Sequence, residues 1–332
     1  MPKLLKYFFW GVAVLFLLVL LWVFLVPVPK PEKIFWGIDF SQKHSRDMGL
    51  DWKENYTAIL DDLKARDLKV AVYWDLIETE RGVYDFSDID WQMKEAEKRQ
   101  ARVILITGLK TSRWPECHMP GWAGSLSQAE QQEAILAQTK ALVLRYKDSP
   151  SLYAWQPENE ALFLFGECPW TDKEFLKKEA EMVRQLDPGH PVGISDSGEG
   201  SMWFDAAQIG DTVGITMYRE VWTSPYNFYF TYPLPPSIYY YKSKLVEALY
   251  GKEVWCIELQ VEPWCPVLLY DCPVIEQKKT MNAEKFKKNI EFAKKTGLGH
   301  FYLWGAEWMY WMKAKQGDPS VWNEAKTLFD QN

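Results

Sequence analysis

The sequence predicts an α/β fold, a (β/α)8 barrel preceded by a single N-terminal transmembrane helix. Three observations point to the barrel. Eight short apolar runs of β-type recur along the chain, as strands buried on both faces should read. Amphipathic helical stretches separate most of them, the alternation that builds a parallel sheet with crossover helices. The length of 332 residues, with 48% hydrophobic and 25% charged, suits one large domain, because a barrel takes about 250 residues plus loops. A doubly wound open sheet is the rival, but no glycine-rich turn follows an early strand.

The chain opens on an apolar segment. From Tyr7 to Val28 no residue is charged, long enough for the roughly 20 residues that cross a bilayer core. A cleaved signal peptide would have a shorter apolar centre and a small-residue cleavage site. Residues 1–28 therefore read as a cytoplasmic stub and membrane anchor over 7–28, 29–33 as a stiff proline-rich linker, and 34–332 as the barrel domain. Lys3 and Lys6 before the span, against Lys30 and Lys33 after it, lean towards a cytoplasmic N-terminus and an extracytoplasmic barrel on a single-pass cell-membrane protein.

The strands are expected at 34–39, 69–74, 102–107, 152–157, 191–196, 212–217, 253–258 and 300–305. Helices are expected at 52–66, 88–99, 127–147, 173–186, 237–250, 283–296 and 320–330, with a short one near 202–208. Ser127, Thr171 or Asp172, and Asn282 stand where side-chain oxygens would cap helix starts. The insert over 219–241, rich in aromatics and proline, is expected to wall one side of a cleft.

Charge and cysteine usage narrow the function. A net charge of −7 argues against a nucleic-acid partner, which would ask for a basic face. Cys117, Cys168, Cys265 and Cys272 fall in loops at the barrel mouth, as in an exported protein. Proximity along the chain favours Cys265 with Cys272 and strand adjacency favours Cys117 with Cys168, although three pairings of four cysteines exist. Cys256, inside an apolar strand, is expected to be a buried free thiol. No Cys-x-x-Cys occurs and only four histidines are present, so neither a metal nor a cofactor is expected.

Two glutamates carry the chemistry. Glu160 closes the fourth strand run and Glu258 the seventh, and side chains at strand ends converge on one mouth of a barrel. A carboxyl pair there can cleave an acetal, one group protonating the leaving oxygen and the other attacking the anomeric carbon or activating water. Glu158 would share a face with Glu160 if the strand persists. Glu262 reads as a subsite or surface residue past its strand, and Glu78 and Glu80 as structural. Asp39 and Asp196 end the first and fifth strands and are as suited to backbone hydrogen bonds as to the mouth.

Four segments in register give a family resemblance. The stretch "YWDLIETERGVYDFSDIDW" after the second strand, "WQPENE" at the fourth, "CIELQVEPW" at the seventh and "FYLWGAEW" at the eighth resemble glycoside hydrolase clan A, particularly its family 5 and family 42 members, from about Phe35 to the C-terminus. The resemblance implies a retaining β-glycoside hydrolase with Glu160 as acid/base and Glu258 as nucleophile, their carboxyls about 5–5.5 Å apart. It further implies that Asn159 holds the sugar 2-hydroxyl and that Tyr218 hydrogen-bonds the nucleophile. Trp304 would floor the first sugar subsite, and Arg113 and His118 would bind hydroxyls or orient the nucleophile. The sixth-strand motif "MYRE" lacks the histidine usual in family 5, and family 42 chains are far longer, so this chain is a compact, divergent relative.

Eighteen tryptophans exceed the needs of a core, and flat apolar faces stack on sugar rings. Trp114, Trp122, Trp170, Trp222, Trp264, Trp308 and Trp311 are rim candidates. The expected partner is a β-linked carbohydrate, taken by a monomeric domain. A non-catalytic carbohydrate-binding barrel and a structural envelope protein are the alternatives.

Overall fold

The computed structural model describes residues 3–25, 28–224 and 226–330. Among them eight parallel strands form one sheet: β1 (Phe35–Phe40), β2 (Asp67–Ala71), β3 (Arg102–Thr107), β4 (Leu152–Pro157), β5 (Gly193–Asp196), β6 (Thr212–Met217), β7 (Val254–Gln260) and β8 (His300–Trp304). Their order is β4-β3-β2-β1-β8-β7-β6-β5. A parallel bridge from Trp155 to Val192, with Trp155 N donating to Pro191 O at 3.0 Å, links β4 to β5 and brings the sheet close to a closed barrel.

Apolar runs become strands here because both faces are covered. Every residue of β7 is buried, and β3, β4 and β6 are buried over five of six positions. The outer face packs on the helices through Ile38, Val70, Leu105, Trp155, Ile215 and Phe301. Ile104, Ala154, Trp255, Ile257 and Tyr302 form a separate cluster in the barrel interior. Gly37 makes room for it, because a Cβ there would meet the Tyr302 ring at 2.6 Å and Asp67 O at 2.7 Å. Truncating Ile257 to alanine would cost ~2–5 kcal/mol by loss of buried surface and an unfilled cavity.

The expected helices form at Trp52–Asp61, Ser87–Lys98, Gln128–Tyr146, Lys173–Leu186, Phe204–Ile209, Pro236–Tyr250, Ala283–Ala293 and Ser320–Phe329. Ser127 closes a reciprocal capping box with Glu130, Asp172 rather than Thr171 caps its helix, and Asn282 accepts from Lys285 N. The insert folds as an antiparallel hairpin, Glu220–Thr223 against Phe228–Thr231.

The membrane anchor is not met. The apolar run is helical over Lys3–Leu25, yet no helix among the described residues is long and apolar enough to cross a membrane. Lys3 and Lys6 lie inside this helix and residues 26–27 of the expected 7–28 span fall outside the described residues. The single-pass placement with a cytoplasmic N-terminus falls with it.

Both favoured disulfides form, Cys117–Cys168 and Cys265–Cys272, and Cys256 is free and buried. The first closes a loop of 51 residues and the second one of 7. Loop-closure entropy gives ~4 kcal/mol for the longer and ~2 kcal/mol for the shorter. The double variant Cys117→Ser/Cys168→Ser is therefore expected to lower Tm more than Cys265→Ser/Cys272→Ser in calorimetry. An equal or reversed order would contradict that account.

Candidate active site

The site begins with a lysine in the middle of a buried strand. Asp39 and Lys69 are register partners on β1 and β2. Lys69 has no exposed surface, and its ammonium reaches Asp39 Oδ2 at 3.0 Å, Glu258 Oε1 at 2.7 Å, Ser112 Oγ at 3.2 Å and Asn159 Oδ1 at 3.4 Å. Sequence reasoning missed it by placing the second strand at 69–74, which put Lys69 on an edge. The observed strand, Asp67–Ala71, centres Lys69 among buried neighbours.

At the top of β4 the chain stops behaving as a strand. The strand ends at Pro157, and Glu158 (φ 58°) and Glu160 (φ 45°) both take left-handed backbone. Strand alternation therefore no longer places the two carboxyls together. Glu158 turns aside, accepting from Leu109 N at 2.9 Å and from Lys110 N. Asn159 faces the lysine, and Gln156 Nε2 donates to its Oδ1 at 3.1 Å. Glu160 Oε1 accepts from Thr216 Oγ1 at 3.1 Å, while its backbone N donates to Ser195 Oγ at 2.7 Å.

From β7, Glu258 receives three donors. Lys69 and Ser112 Oγ (3.1 Å) serve Oε1, and the Tyr218 hydroxyl serves Oε2 at 2.6 Å. The two glutamates then diverge electrostatically. Burial pushes the Glu160 pKa well above the usual carboxylate value, and the charges of Glu258 and Glu116 push the same way. Burial also pushes Glu258 up, but Lys69, Tyr218 and Arg113 outweigh it and hold the pKa below its ordinary value. One carboxyl keeps its proton while its neighbour stays ionised, the division that acid-and-nucleophile chemistry needs. Glu116, a third buried carboxyl, is pushed up to about 8 by burial and by Glu258.

Arg113 does not bond the nucleophile. Its guanidinium donates to Glu262 Oε1 at 2.5 Å and Glu307 Oε2 at 2.7 Å, and it lies 4.3 Å over the Trp304 ring. Glu262 is buried and is neither a surface residue nor free for a ligand through Oε1. Glu307, unremarked in the sequence, also accepts from Ser41 N. His118 is buried, with Nε2 3.1 Å from Arg113 O and Nδ1 3.1 Å from Lys43 Nζ. Burial and then Lys43 lower its pKa to about 4, so it is neutral and orders the loop rather than facing the carboxyl pair.

The tryptophans separate into groups. Trp304 stands edge-on to Tyr218 at 5.4 Å, and Trp264 flanks the same ring at 5.8 Å. Trp114 is 48% exposed on the rim beside Phe165. Trp170 instead bonds Gln131 Oε1 at 2.7 Å and packs on Phe175 in a satellite cluster. Trp122 bonds Glu78 O, Trp308 is a core residue bonded to Gln277, Trp311 packs on the core, and Trp222 pairs with Tyr229 in the hairpin. Glu78 ties Trp74 to Gly82, and Asp196 bonds Ser197 N and Ser201 in its own loop. A cavity of about 180 Å³ lies beside the site, lined by Lys110, Glu158, Phe165, Trp170 and Glu179.

No family model matches the chain. Mannan endo-1,4-beta-mannosidase F of Aspergillus fumigatus is 24% identical over 157 residues, which is 42% of this chain and 35% of that protein. The probable mannan endo-1,4-beta-mannosidase F of Aspergillus oryzae is 26% identical over 150 residues, 39% of this chain and 31% of that one. The chain thus spans about a third of the length of these curated relatives. Native xylanase 10B from Thermotoga maritima superposes with a TM-score of 0.58 at 16% identity, covering 90% of this chain and 97% of that one. A GH5_18 protein from Bifidobacterium longum, solved in complex with Manb1-4GlcNAc, gives 0.56 at 13% identity over 82% and 68%. The structural likenesses show the fold.

Proposed function

We propose that this chain, a divergent relative of the clan A glycoside hydrolases, is a retaining β-glycoside hydrolase whose residues 34–332 cleave a β-linked mannoside, with Glu160 as acid/base and Glu258 as nucleophile. The observation that carries the reading is the unequal treatment of two buried carboxyls in one mouth. Glu258 is ion-paired and triply hydrogen-bonded, whereas Glu160 has one hydroxyl partner and keeps its proton. The choice of mannose is supported by the likeness to mannan endo-1,4-beta-mannosidases.

In the first step Glu160 gives its proton to the leaving glycosidic oxygen as a Glu258 oxygen bonds the anomeric carbon. In the second, Glu160 takes a proton from water, whose oxygen displaces Glu258 with a second inversion. Asn159, whose Oδ1 accepts from Gln156 and Lys69, is assigned to the 2-hydroxyl. The test is turnover of p-nitrophenyl β-mannoside and β-1,4-mannan by the full chain, with the first-formed anomer read by proton NMR. A β anomer is expected, and an α anomer would sink the double displacement.

The pH profile has a worked sign. Glu258 must be ionised, so activity rises as pH climbs through its pKa, which lies below the ordinary glutamate value. Glu160 must be protonated, so activity falls as pH climbs through its raised pKa. A bell-shaped kcat/KM is expected, its acid limb below the ordinary glutamate range, with both limbs belonging to the interacting pair. A profile still rising above neutral pH would exclude Glu258 as the ionised nucleophile, and one with no falling limb would exclude Glu160 as the acid.

A further inference from the structure

We propose that Phe165 and Trp264 form a fixed aromatic arch over the carboxyl pair, which confines the site to chain ends and makes the protein remove terminal sugars. The inference rests on the glycosidase reading and adds the mode of attack to it. Phe165 lies in the loop after β4, just past Glu160, and Trp264 in the loop after β7, just past Glu258. Around the nearly closed barrel β5 and β6 lie between those two strands, yet the two rings meet with centroids 5.9 Å apart. The contact therefore spans the mouth above the very strands that carry the reacting groups.

Both feet of the arch are tied down. Lys110 Nζ donates to Phe163 O at 2.8 Å and Glu160 O at 3.0 Å, and Glu167 N donates to Pro115 O at 2.9 Å. Gly166 (φ +94°) lies so close on the neighbouring loop that a Cβ would meet Glu116 Cβ at 2.5 Å. The Cys117–Cys168 bond joins the same two loops. On the other side Trp264 N donates to Thr280 Oγ1 at 3.1 Å, that hydroxyl donates back to Trp264 O at 2.9 Å, and Cys265 is bonded to Cys272. These ties make the arch a wall rather than a flap.

Its underside touches the chemistry. Trp264 packs on Tyr218, whose hydroxyl holds Glu258, and the Trp264 indole N–H is buried without a partner, a donor left for a sugar hydroxyl. Beneath it Glu160 and Glu258 are only 6% and 2% exposed. An internal sugar of a polymer carries chain on both sides and would have to thread under the arch, whereas a terminal sugar enters from one side. Outside, Trp114 and Phe163 flank Phe165 at 6.1 Å and 6.3 Å and offer exposed faces for the departing remainder.

The experiment follows early products from β-1,4-mannohexaose and, in parallel, cellohexaose, each labelled at the reducing end, with the full chain. Wild type is expected to release monosaccharide and the pentasaccharide first. Phe165→Ala and Trp264→Ala are expected to raise the ratio of internal to terminal cleavage on the order of tenfold, the scale at which a pocket wall discriminates substrates. Phe165→Trp should preserve the wild-type ratio, and circular dichroism melts check folding. Internal products from wild type, or a ratio unmoved in both alanine variants, would overturn the arch while leaving the glycosidase reading intact. Absence of turnover by wild type on both hexasaccharides and on aryl β-glycosides would overturn that reading, and the arch with it.

Discussion

Glu258→Gln is expected to lower kcat on aryl β-mannosides on the order of 10⁵-fold or more, the scale seen when an enzyme loses its nucleophile. The amide keeps the shape of the side chain and can still accept from Tyr218, but it cannot form the glycosyl ester and no longer neutralises Lys69. Leaving-group ability does not help, because the missing bond is the one to the anomeric carbon. Glu160→Gln behaves differently. General acid catalysis is worth about 10²–10⁴-fold, and a leaving group as good as dinitrophenolate needs none of it. With that substrate the first step should survive and the second stall for want of a base, so a burst of phenolate followed by slow turnover is expected. Stopped-flow absorbance distinguishes the two variants. Appreciable steady turnover by Glu258→Gln, or identical leaving-group dependence in both, would remove the assigned roles.

Periodicity made the barrel legible, because a strand buried on both faces leaves an unbroken apolar run and an amphipathic helix leaves a stripe. All eight runs were placed on the sheet, with ends off by a few residues. One such error hid Lys69, since moving the second strand two residues towards the N-terminus turns an edge lysine into a buried one. A charged residue inside an otherwise apolar strand was the available signal. The left-handed turns at Glu158 and Glu160 were not legible, because neither residue type announces positive φ and only the resemblance favoured Glu160. Arg113, expected to bind sugar hydroxyls or to orient the nucleophile, lies on Glu262 and Glu307, a choice among acidic partners that local sequence does not encode. The meeting of Phe165 and Trp264 depends on two loops about a hundred positions apart, beyond the reach of any periodicity.

Lys69→Met is expected to damage stability and activity together, with opposite dependence on pH. The ammonium is fully buried between Asp39 and Glu258, and removing one member of a buried ion pair leaves uncompensated charge at a cost of about 3–5 kcal/mol. At pH 7 that corresponds to a fall in Tm of about 5 °C or more for a domain this large. With Lys69 present, the folded pKa of Glu258 lies below its unfolded value, so its stabilising contribution exists above the unfolded pKa and is lost as pH falls through the folded one. Without Lys69, burial prevails and the folded pKa moves above the unfolded value. The penalty is then largest at high pH and shrinks as pH falls towards the ordinary glutamate value, where the group enters the fold protonated. Calorimetry at pH 5 and pH 8 reads this as a Tm gap between variant and wild type that narrows at the lower pH. Activity moves the other way, because the nucleophile must be ionised: the acid limb of kcat/KM shifts to higher pH and brings activity down at neutrality. Lys69→Arg keeps the charge but replaces a compact ammonium with a planar fork, so an intermediate shift is expected. A lysine that merely filled space would lower Tm and leave the acid limb where it was, and that result would return Lys69 to the core.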